Sequence, residues 1–147
     1  MFNDRKAFRD IIDLMLLSER HRDFYIKDLE RLIFPAMETG RMILFYNDVG
    51  VAEGLYSHTF LTPEAQDGYL TGTRKLQPSD WRTGPEDGKL WIIDFIAPYG
   101  NVPKLGRKIQ DHLTSMYYSD ICVDASWRRS LKGGHIHRIQ GTPKEKV

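Results

Sequence analysis

A single aspartate lies inside the most apolar stretch of the sequence. Asp94 belongs to the run Trp91-Ile92-Ile93-Asp94-Phe95-Ile96, which is apolar enough for a strand at the centre of a sheet. A carboxylate buried in such a strand is costly unless a cation, a histidine or several hydrogen-bond donors accompany it. Asp94 therefore has two interpretations: it belongs to a functional pair, or it binds backbone amides at the end of a strand.

A histidine in a polar connection is the residue type that would complete such a pair. His21 follows the first apolar helical pattern, in Ser18-Glu19-Arg20-His21-Arg22. Taken alone, this context is typical of a surface histidine. Histidine is nonetheless the side chain suited to moving protons near pH 7. An Asp–His pair in which the carboxylate orients the ring is a common general base.

Other reactive residue types favour structural roles. His135 and His137 share one face of a predicted strand, but two histidines without a third ligand make a poor zinc site, so we expect no metal. Cys122 lies in the apolar run Ile121-Cys122-Val123, which indicates a buried thiol rather than a nucleophile. As the one cysteine of the chain, it also excludes an internal disulfide.

Positive charge is concentrated in the last third of the chain. Residues 1–101 carry 12 Lys/Arg and 16 Asp/Glu, whereas residues 102–147 carry 9 and 4, so balances of −4 and +5 give the net +1. This distribution indicates an acidic partner, for which nucleic acid, acidic proteins and phosphates all qualify. For each basic residue alone, a solvated surface is the simpler interpretation. The basic residues concerned are Lys104, Arg107, Lys108, Arg128, Arg129 and Lys132.

Length and composition indicate one ordinary globular domain over residues 1–147. The chain is 41% hydrophobic, 28% charged and 12% aromatic, which argues against disorder. The first residues lack the apolar run of a signal peptide, and no segment approaches the roughly 20 apolar residues that span a bilayer. We therefore expect a cytoplasmic protein.

Apolar periodicity predicts an α/β (α+β) domain in which a central mixed sheet is flanked by helices. The second helix should bury Ile26, Leu29 and Ile33 on one face, with Pro35 disturbing its last turns and Gly40 ending it. The predicted elements are a helix through Phe8, Ile11, Ile12 and Met15 with Asp4 as N-cap, a helix over 25–38, strands over 42–46 and 51–60 joined by a turn, a short helix within the irregular stretch 61–89, a strand over 91–96, a helix over 102–118, and strands over 121–127 and 136–140.

This order of elements resembles the small acetyltransferase (GNAT-like) architecture, in which a central strand leads into a helix whose start faces the acyl donor. The typical turn carries an Arg/Gln-x-x-Gly-x-Gly/Ala loop that binds the phosphates of coenzyme A. Here the corresponding segment from Tyr99 to Lys108 reads YGNVPKLGRK and lacks that loop. If the fold is of this kind, the donor is not held by its pyrophosphate.

Several segments together are similar to one family, the RTX toxin-activating lysine acyltransferases. Ser18-Glu19-Arg20-His21-Arg22 resembles its Ser-x-x-His-Arg segment, and Trp81-Arg82-Thr83-Gly84 resembles its Trp-x-x-Gly element. The longest match is the block over 91–100, WIIDFIAPYG, which resembles Trp-x-Ile-Asp-(aromatic)-Ile-Ala-Pro-(aromatic)-Gly. Val123-Asp124 and Lys132-Gly133-Gly134 add to the resemblance. The chain departs from the family at Asn101, where some members have Asp, and in a short C-terminus.

This resemblance implies a specific activity. Family members transfer a fatty acyl chain from acyl carrier protein, whose acyl-phosphopantetheine is the donor, to internal lysines of an RTX protoxin. It also implies a divergent acetyltransferase fold, a homodimer and no permanently bound cofactor. The catalytic residues of the family map to His21 and Asp94, with Ser18 supporting the histidine. The basic residues Lys104, Arg107, Lys108, Arg128 and Arg129 would then dock the acidic carrier protein.

The implied chemistry is attack of a lysine amine on a thioester. A lysine with a pKa of about 10.4 is almost fully protonated at pH 7, so a base must remove a proton. His21 oriented by Asp94 suits that role, and an alternative makes His21 the nucleophile. Backbone N–H groups in the segment from Ala97 to Gly100, which includes Pro98 and Tyr99, are candidates for the oxyanion site by position alone. Two other functions stay open: a coenzyme A-dependent small-molecule N-acetyltransferase, and a non-enzymatic adaptor for an acidic protein.

Overall fold

The computed structural model describes residues 5–117, 123–128 and 136–141, the last two stretches by their backbone. The described strands are β1 (Met42–Tyr46), β2 (Ala52–Leu61), β3 (Lys89–Ile96), β4 (Val123–Arg128) and β5 (Ile136–Gly141). They form one five-stranded sheet in the order β1-β2-β3-β4-β5. Neighbouring strands are antiparallel except β3 and β4, which are parallel and are connected by a crossover that contains the helix over 102–116. The predicted mixed sheet is confirmed.

The helices lie close to their predicted positions. The stretch 61–89, for which the sequence predicts one short helix in an otherwise irregular segment, holds a helix over 63–71 and a 3₁₀ turn over 78–81. The predicted N-cap Asp4 lies outside the described residues. The helices are α1 (Arg5–Leu16), α2 (Ile26–Asp28), a π-helix (Leu29–Ile33), α3 (Phe34–Glu38), α4 (Pro63–Thr71), the 3₁₀ turn (Pro78–Trp81) and α5 (Val102–Met116).

The second predicted helix is one helical segment interrupted by a π-turn. Pro35 has no backbone N–H, so the carbonyl of Arg31 cannot receive the usual helical hydrogen bond. The indole Nε1 of Trp81 donates to that carbonyl instead, at 2.8 Å. Because a π-turn inserts an extra residue, it rotates the helix faces relative to each other. The predicted burial of Ile26 is therefore wrong: its side chain is 87% exposed, whereas Leu32 is buried.

The sheet carries a hydrophobic core on each face. The helices α1 and α3 and the π-helix cover one face, where Ile11, Leu14 and Ile33 pack with Trp91 and Ile93 of β3. The helix α5 covers the other face. The buried residues of the core on that face are Ile109 and Leu113 of α5 with Tyr56, Phe60, Leu90 and Ile92 of the sheet. From Leu90 to Ile93, successive residues of β3 thus alternate between the α5 face and the α1 face, as a regular strand requires.

Candidate active site

A β-bulge in β3 turns Asp94 toward the α1 face. The register between β2 and β3 shifts at this point: Ser57 pairs with Asp94, but the next residue, His58, pairs with Ile92. Ile93 is therefore an extra residue. Strict alternation from Ile92 would place Asp94 on the α5 face, whereas the inserted residue moves it to the face that Ile93 occupies. The bulge decides which helix Asp94 meets.

His21 is held by consecutive tight turns after α1. The backbone N–H groups of His21 and Arg22 donate to the carbonyl of Ser18 at 3.1 and 2.9 Å, and that of Phe24 donates to the carbonyl of His21 at 3.1 Å. The ring of His21 packs against Phe24 with centroids 5.1 Å apart. His21 is only 4% exposed, so it is not the surface histidine that its local sequence favours.

These two segments bring Ser18, His21 and Asp94 into one hydrogen-bonded chain. Nε2 of His21 lies 2.7 Å from Oδ1 of Asp94, and Nδ1 of His21 lies 2.7 Å from Oγ of Ser18. The three residues predicted for the site are thus in direct contact, although 73 positions separate His21 from Asp94. Asp94 itself is 1% exposed.

A second serine supports the carboxylate. Ser57 of β2 is fully buried, and its Oγ lies 3.4 Å from Oδ2 of Asp94 and 3.1 Å from the backbone N–H of Asp94. Both carboxylate oxygens therefore have a hydrogen-bond partner, which offsets the cost of burying Asp94. Sequence reasoning missed Ser57, because it lies in an unremarkable strand. Only the pairing of β2 with β3 identifies it.

The hydrogen bonds define the chemistry available to His21. With the proton on Nε2, donated to Asp94, the free lone pair of the ring lies on Nδ1 and accepts the hydroxyl of Ser18. A hydroxyl, an imidazole and a carboxylate in series are the arrangement by which enzymes of acyl transfer move protons. The site can therefore take up a proton at Nδ1, directly or through Ser18.

An apolar cavity of about 130 Å³ opens beside His21. It lies between the C-terminal half of α1 and the chain that leads into α2. Its lining residues are Ile12, Met15, Leu16, His21, Arg22, Phe24, Tyr25, Ile26 and Leu29. A hydrocarbon group bound in this cavity would contact the imidazole directly.

The predicted oxyanion segment lies in the turn between β3 and α5. Gly100 has a φ of +74°, which glycine adopts without strain. Ala97 and Pro98 are half-buried, and Tyr99 is 59% exposed. None of the residues from Ala97 to Gly100 lines the cavity beside His21. Their assignment as oxyanion donors stays a prediction.

The predicted docking residues divide into three groups. Nζ of Lys104 and Nζ of Lys108 lie 3.6 and 3.4 Å from Oε1 of Glu53, so α5 is tied to β2 by two ion pairs. Arg107, on the same helix, is exposed. Arg129 and the side chain of Arg128 lie outside the described residues. Cys122, His135 and the side chain of His137 lie outside them as well, so the inert thiol and the rejected zinc site stay predictions.

A buried aromatic and histidine cluster on the α5 face was not predicted. Nε2 of His58 lies 2.5 Å from the hydroxyl of Tyr117, and the hydroxyl of Tyr56 bonds to Nδ1 of His112. Tyr56 and His58 are fully buried. Burial lowers the pKa of His58 to about 3, with further contributions from Arg41 and His112. The cluster lies on the opposite face of the sheet from His21, so it belongs to the fold rather than to this site.

Comparison with known families places the chain in a class of acyl-transfer proteins. The model of the RTX toxin acyltransferase family matches residues 1–141. The chain belongs to this family, as the motifs around His21 and Asp94 predicted.

Individual relatives carry names that agree with the family. The lysine-acyltransferase RtxC of Vibrio cholerae is 29% identical over 103 residues, which cover 68% of this chain and 63% of that protein. The RTX-II toxin-activating lysine-acyltransferase ApxIIC of Actinobacillus pleuropneumoniae is 32% identical over 99 residues, covering 67% and 59%. The protein-lysine myristoyltransferase RtxC of Kingella kingae is 28% identical over 108 residues, covering 74% and 62%. The chain thus spans about three-fifths of the length of these relatives. Among the residues that the structure describes, no helix is both long and apolar enough to cross a membrane.

Proposed function

We propose that this chain is a protein-lysine fatty acyltransferase, which transfers an acyl chain from acyl carrier protein to internal lysines of an RTX protoxin. The observation that carries the proposal is the buried Ser18–His21–Asp94 chain beside an apolar cavity, in a member of this family. The hydrogen bonds supply a proton acceptor, and the cavity offers an apolar surface for the acyl group.

In the proposed reaction His21 is the general base. The lysine amine attacks the thioester carbonyl carbon, the N–C bond forms, and the C–S bond of the donor breaks. Nδ1 of His21 takes the amine proton, directly or through Ser18, and the imidazolium then gives that proton to the departing phosphopantetheine thiolate. Asp94 holds the ring and stabilises the imidazolium that forms. The geometry favours this role over an acyl-imidazole, because Ser18 already occupies Nδ1 and Asp94 occupies Nε2.

The fold is proposed to be a divergent acetyltransferase (GNAT-like) domain. The supporting observation is the β3–α5–β4 unit, in which a central strand feeds a helix and the next strand returns parallel to it. The donor would approach the start of α5. Because the segment from Tyr99 to Lys108 has no glycine-rich phosphate loop, we propose a carrier protein rather than free coenzyme A as the donor.

The acidic carrier protein is proposed to dock on α5. The enzyme is proposed to be a homodimer and to act in the cytoplasm. Arg107 is the docking residue to test first, because Lys104 and Lys108 already pair with Glu53. Arg107→Glu should weaken association with acyl carrier protein more at low salt than at high salt. Lys75→Glu, a reversal at an exposed lysine after α4, serves as the control. Sedimentation equilibrium tests the dimer, and a species of only 17 kDa would contradict it.

Mass spectrometry of a co-expressed RTX protoxin tests the activity. We expect one or two internal lysines to carry fatty acyl groups in amide linkage, which survives neutral hydroxylamine, with mixed products that differ by two carbons. Acetyl groups alone, together with equal turnover of acyl-coenzyme A and acyl carrier protein, would favour a coenzyme A-dependent acetyltransferase. Unmodified protoxin bound to the chain would favour an adaptor.

A further inference from the structure

The imidazole of His21 forms one wall of the cavity, and the rest of the lining is mainly apolar side chains. Ile12 and Met15 of α1 and Leu29 of the π-helix line the cavity, and the ring of Phe24 packs against the imidazole. Met15 is 5% exposed, and Ile12, Phe24 and Leu29 are half-buried. Arg22 is the one permanently charged side chain in the lining, and it is exposed. An apolar group entering the cavity therefore desolvates little that is polar.

The size of the cavity limits what it can hold. Its volume is about 130 Å³, and a dry apolar cavity of about 150 Å³ accommodates benzene, so roughly six carbons fit. A whole fatty chain does not fit. A segment of a chain does, provided that the rest can continue outside.

The rim of the cavity offers that continuation. Leu16, Tyr25 and Ile26 are 55%, 70% and 87% exposed, although all three have large apolar side chains. All three line the cavity, so their exposed side chains belong to its rim. A run of such residues beside an apolar opening is typical of a surface that a ligand covers.

We infer that this cavity is the acyl-chain site. The first carbons after the thioester carbonyl occupy the space between Ile12, Met15 and Leu29, and the later methylenes lie across Leu16, Tyr25 and Ile26. This arrangement places the carbonyl next to His21. The inference rests on the proposed function, since it takes the chain from the proposed donor, and it names a lining that the sequence motifs do not contain.

Filling the cavity tests the inference. Ile12→Phe and Leu29→Phe each enlarge a half-buried wall, and Leu17→Phe is the control, because Leu17 is as exposed as Leu16 but does not line the cavity. Turnover is measured with dodecanoyl and acetyl acyl carrier protein, because an acetyl group has only one carbon beyond the carbonyl to place in the cavity. Each methylene displaced should lower apparent affinity about fourfold, so displacing two should raise KM for the dodecanoyl donor on the order of sixteenfold. The acetyl donor and the Leu17→Phe protein should change little.

The outcomes separate this inference from the proposed function. If both filling variants keep the wild-type ratio of dodecanoyl to acetyl turnover, or lose both equally, the cavity is not the acyl-chain site. If wild-type protein acylates nothing with either donor, the proposed function fails instead. In that case, binding of a fluorescent polyene fatty acid to the folded protein tests the cavity without turnover. Binding that Ile12→Phe and Leu29→Phe both weaken supports the site, and binding that neither weakens overturns it.

Discussion

His58 should make the fold sensitive to mild acid. Its ring is fully buried on the α5 face, stacked on Tyr56 and edge-on to Tyr117 at centroid distances of 5.6 and 5.4 Å. Nε2 is bonded to Tyr117, whereas Nδ1 is buried with no hydrogen-bond partner among the described residues. A proton added at Nδ1 would place an uncompensated charge in this cluster, with Arg41 and His112 already nearby.

The size of the effect follows from the two pKa values of His58. Burial, with the charges of Arg41 and His112, lowers the folded-state pKa from 6.5 to about 3. Below pH 6.5 His58 is therefore protonated in the unfolded chain but stays neutral in the folded chain. The free energy of unfolding consequently decreases as the pH falls. Between pH 7.5 and pH 5.0 the free energy of unfolding should drop by about 2 kcal/mol.

The assay is urea unfolding of wild type and His58→Gln at pH 7.5 and pH 5.0. With an m-value of about 2 kcal/mol/M, the wild-type midpoint should fall by about 1 M from this residue, beyond any contribution from other groups. Glutamine can still bond to Tyr117 but does not titrate, so the variant should lose that part of the pH dependence. Phe60→Leu, a change at a buried residue on the same strand, should lower stability equally at both pH values. An unchanged pH dependence in His58→Gln would refute this account.

Three further outcomes concern the site and its support. His21→Ala and Asp94→Asn should each abolish acylation in a folded protein. The double variant should be no less active than either single variant, because the two residues act as a unit. An active His21→Ala enzyme would overturn the assignment. Ser18→Ala should lower kcat by a factor on the order of 10² if the hydroxyl relays the proton, as in general acid–base catalysis, and an unchanged kcat would limit Ser18 to a dispensable contact. Trp81→Phe removes the donor to the carbonyl of Arg31 and should cost about 1–3 kcal/mol in urea unfolding, whereas a stability equal to wild type would show that this bond contributes nothing net.

Most of the secondary structure could be predicted because its causes are local. The turn before β2 is one example: Oδ1 of Asn47 accepts from the backbone N–H groups of Val49 and Val51 at 3.1 and 2.9 Å, and Gly50 has a φ of +81°. Asparagine and glycine adopt such turns wherever the neighbouring strands allow them. The end of α3 at Gly40, with a φ of +72°, has the same kind of local cause.

Errors occurred where a distant residue decided the outcome. Ile26 fits the apolar face of a regular helix, and Pro35 alone does not specify the π-turn that moves it to the surface. The turn became possible because Trp81, 50 residues later, binds the carbonyl that Pro35 leaves free. The cluster around His58 was missed for a similar reason. His58 and Tyr117 lie 59 residues apart, and no local pattern relates them.

The residue types of the site, their motifs and the family they indicate are all legible in the amino-acid sequence. It left open whether His21 and Asp94 meet, because strand alternation alone would have placed Asp94 on the face of α5. The extra residue Ile93 in the β2–β3 pairing turns the carboxylate to the α1 face, where the turns after α1 present the imidazole. A bulge is a property of two paired strands rather than of one. For that reason only the tertiary structure could decide that the two residues form one site.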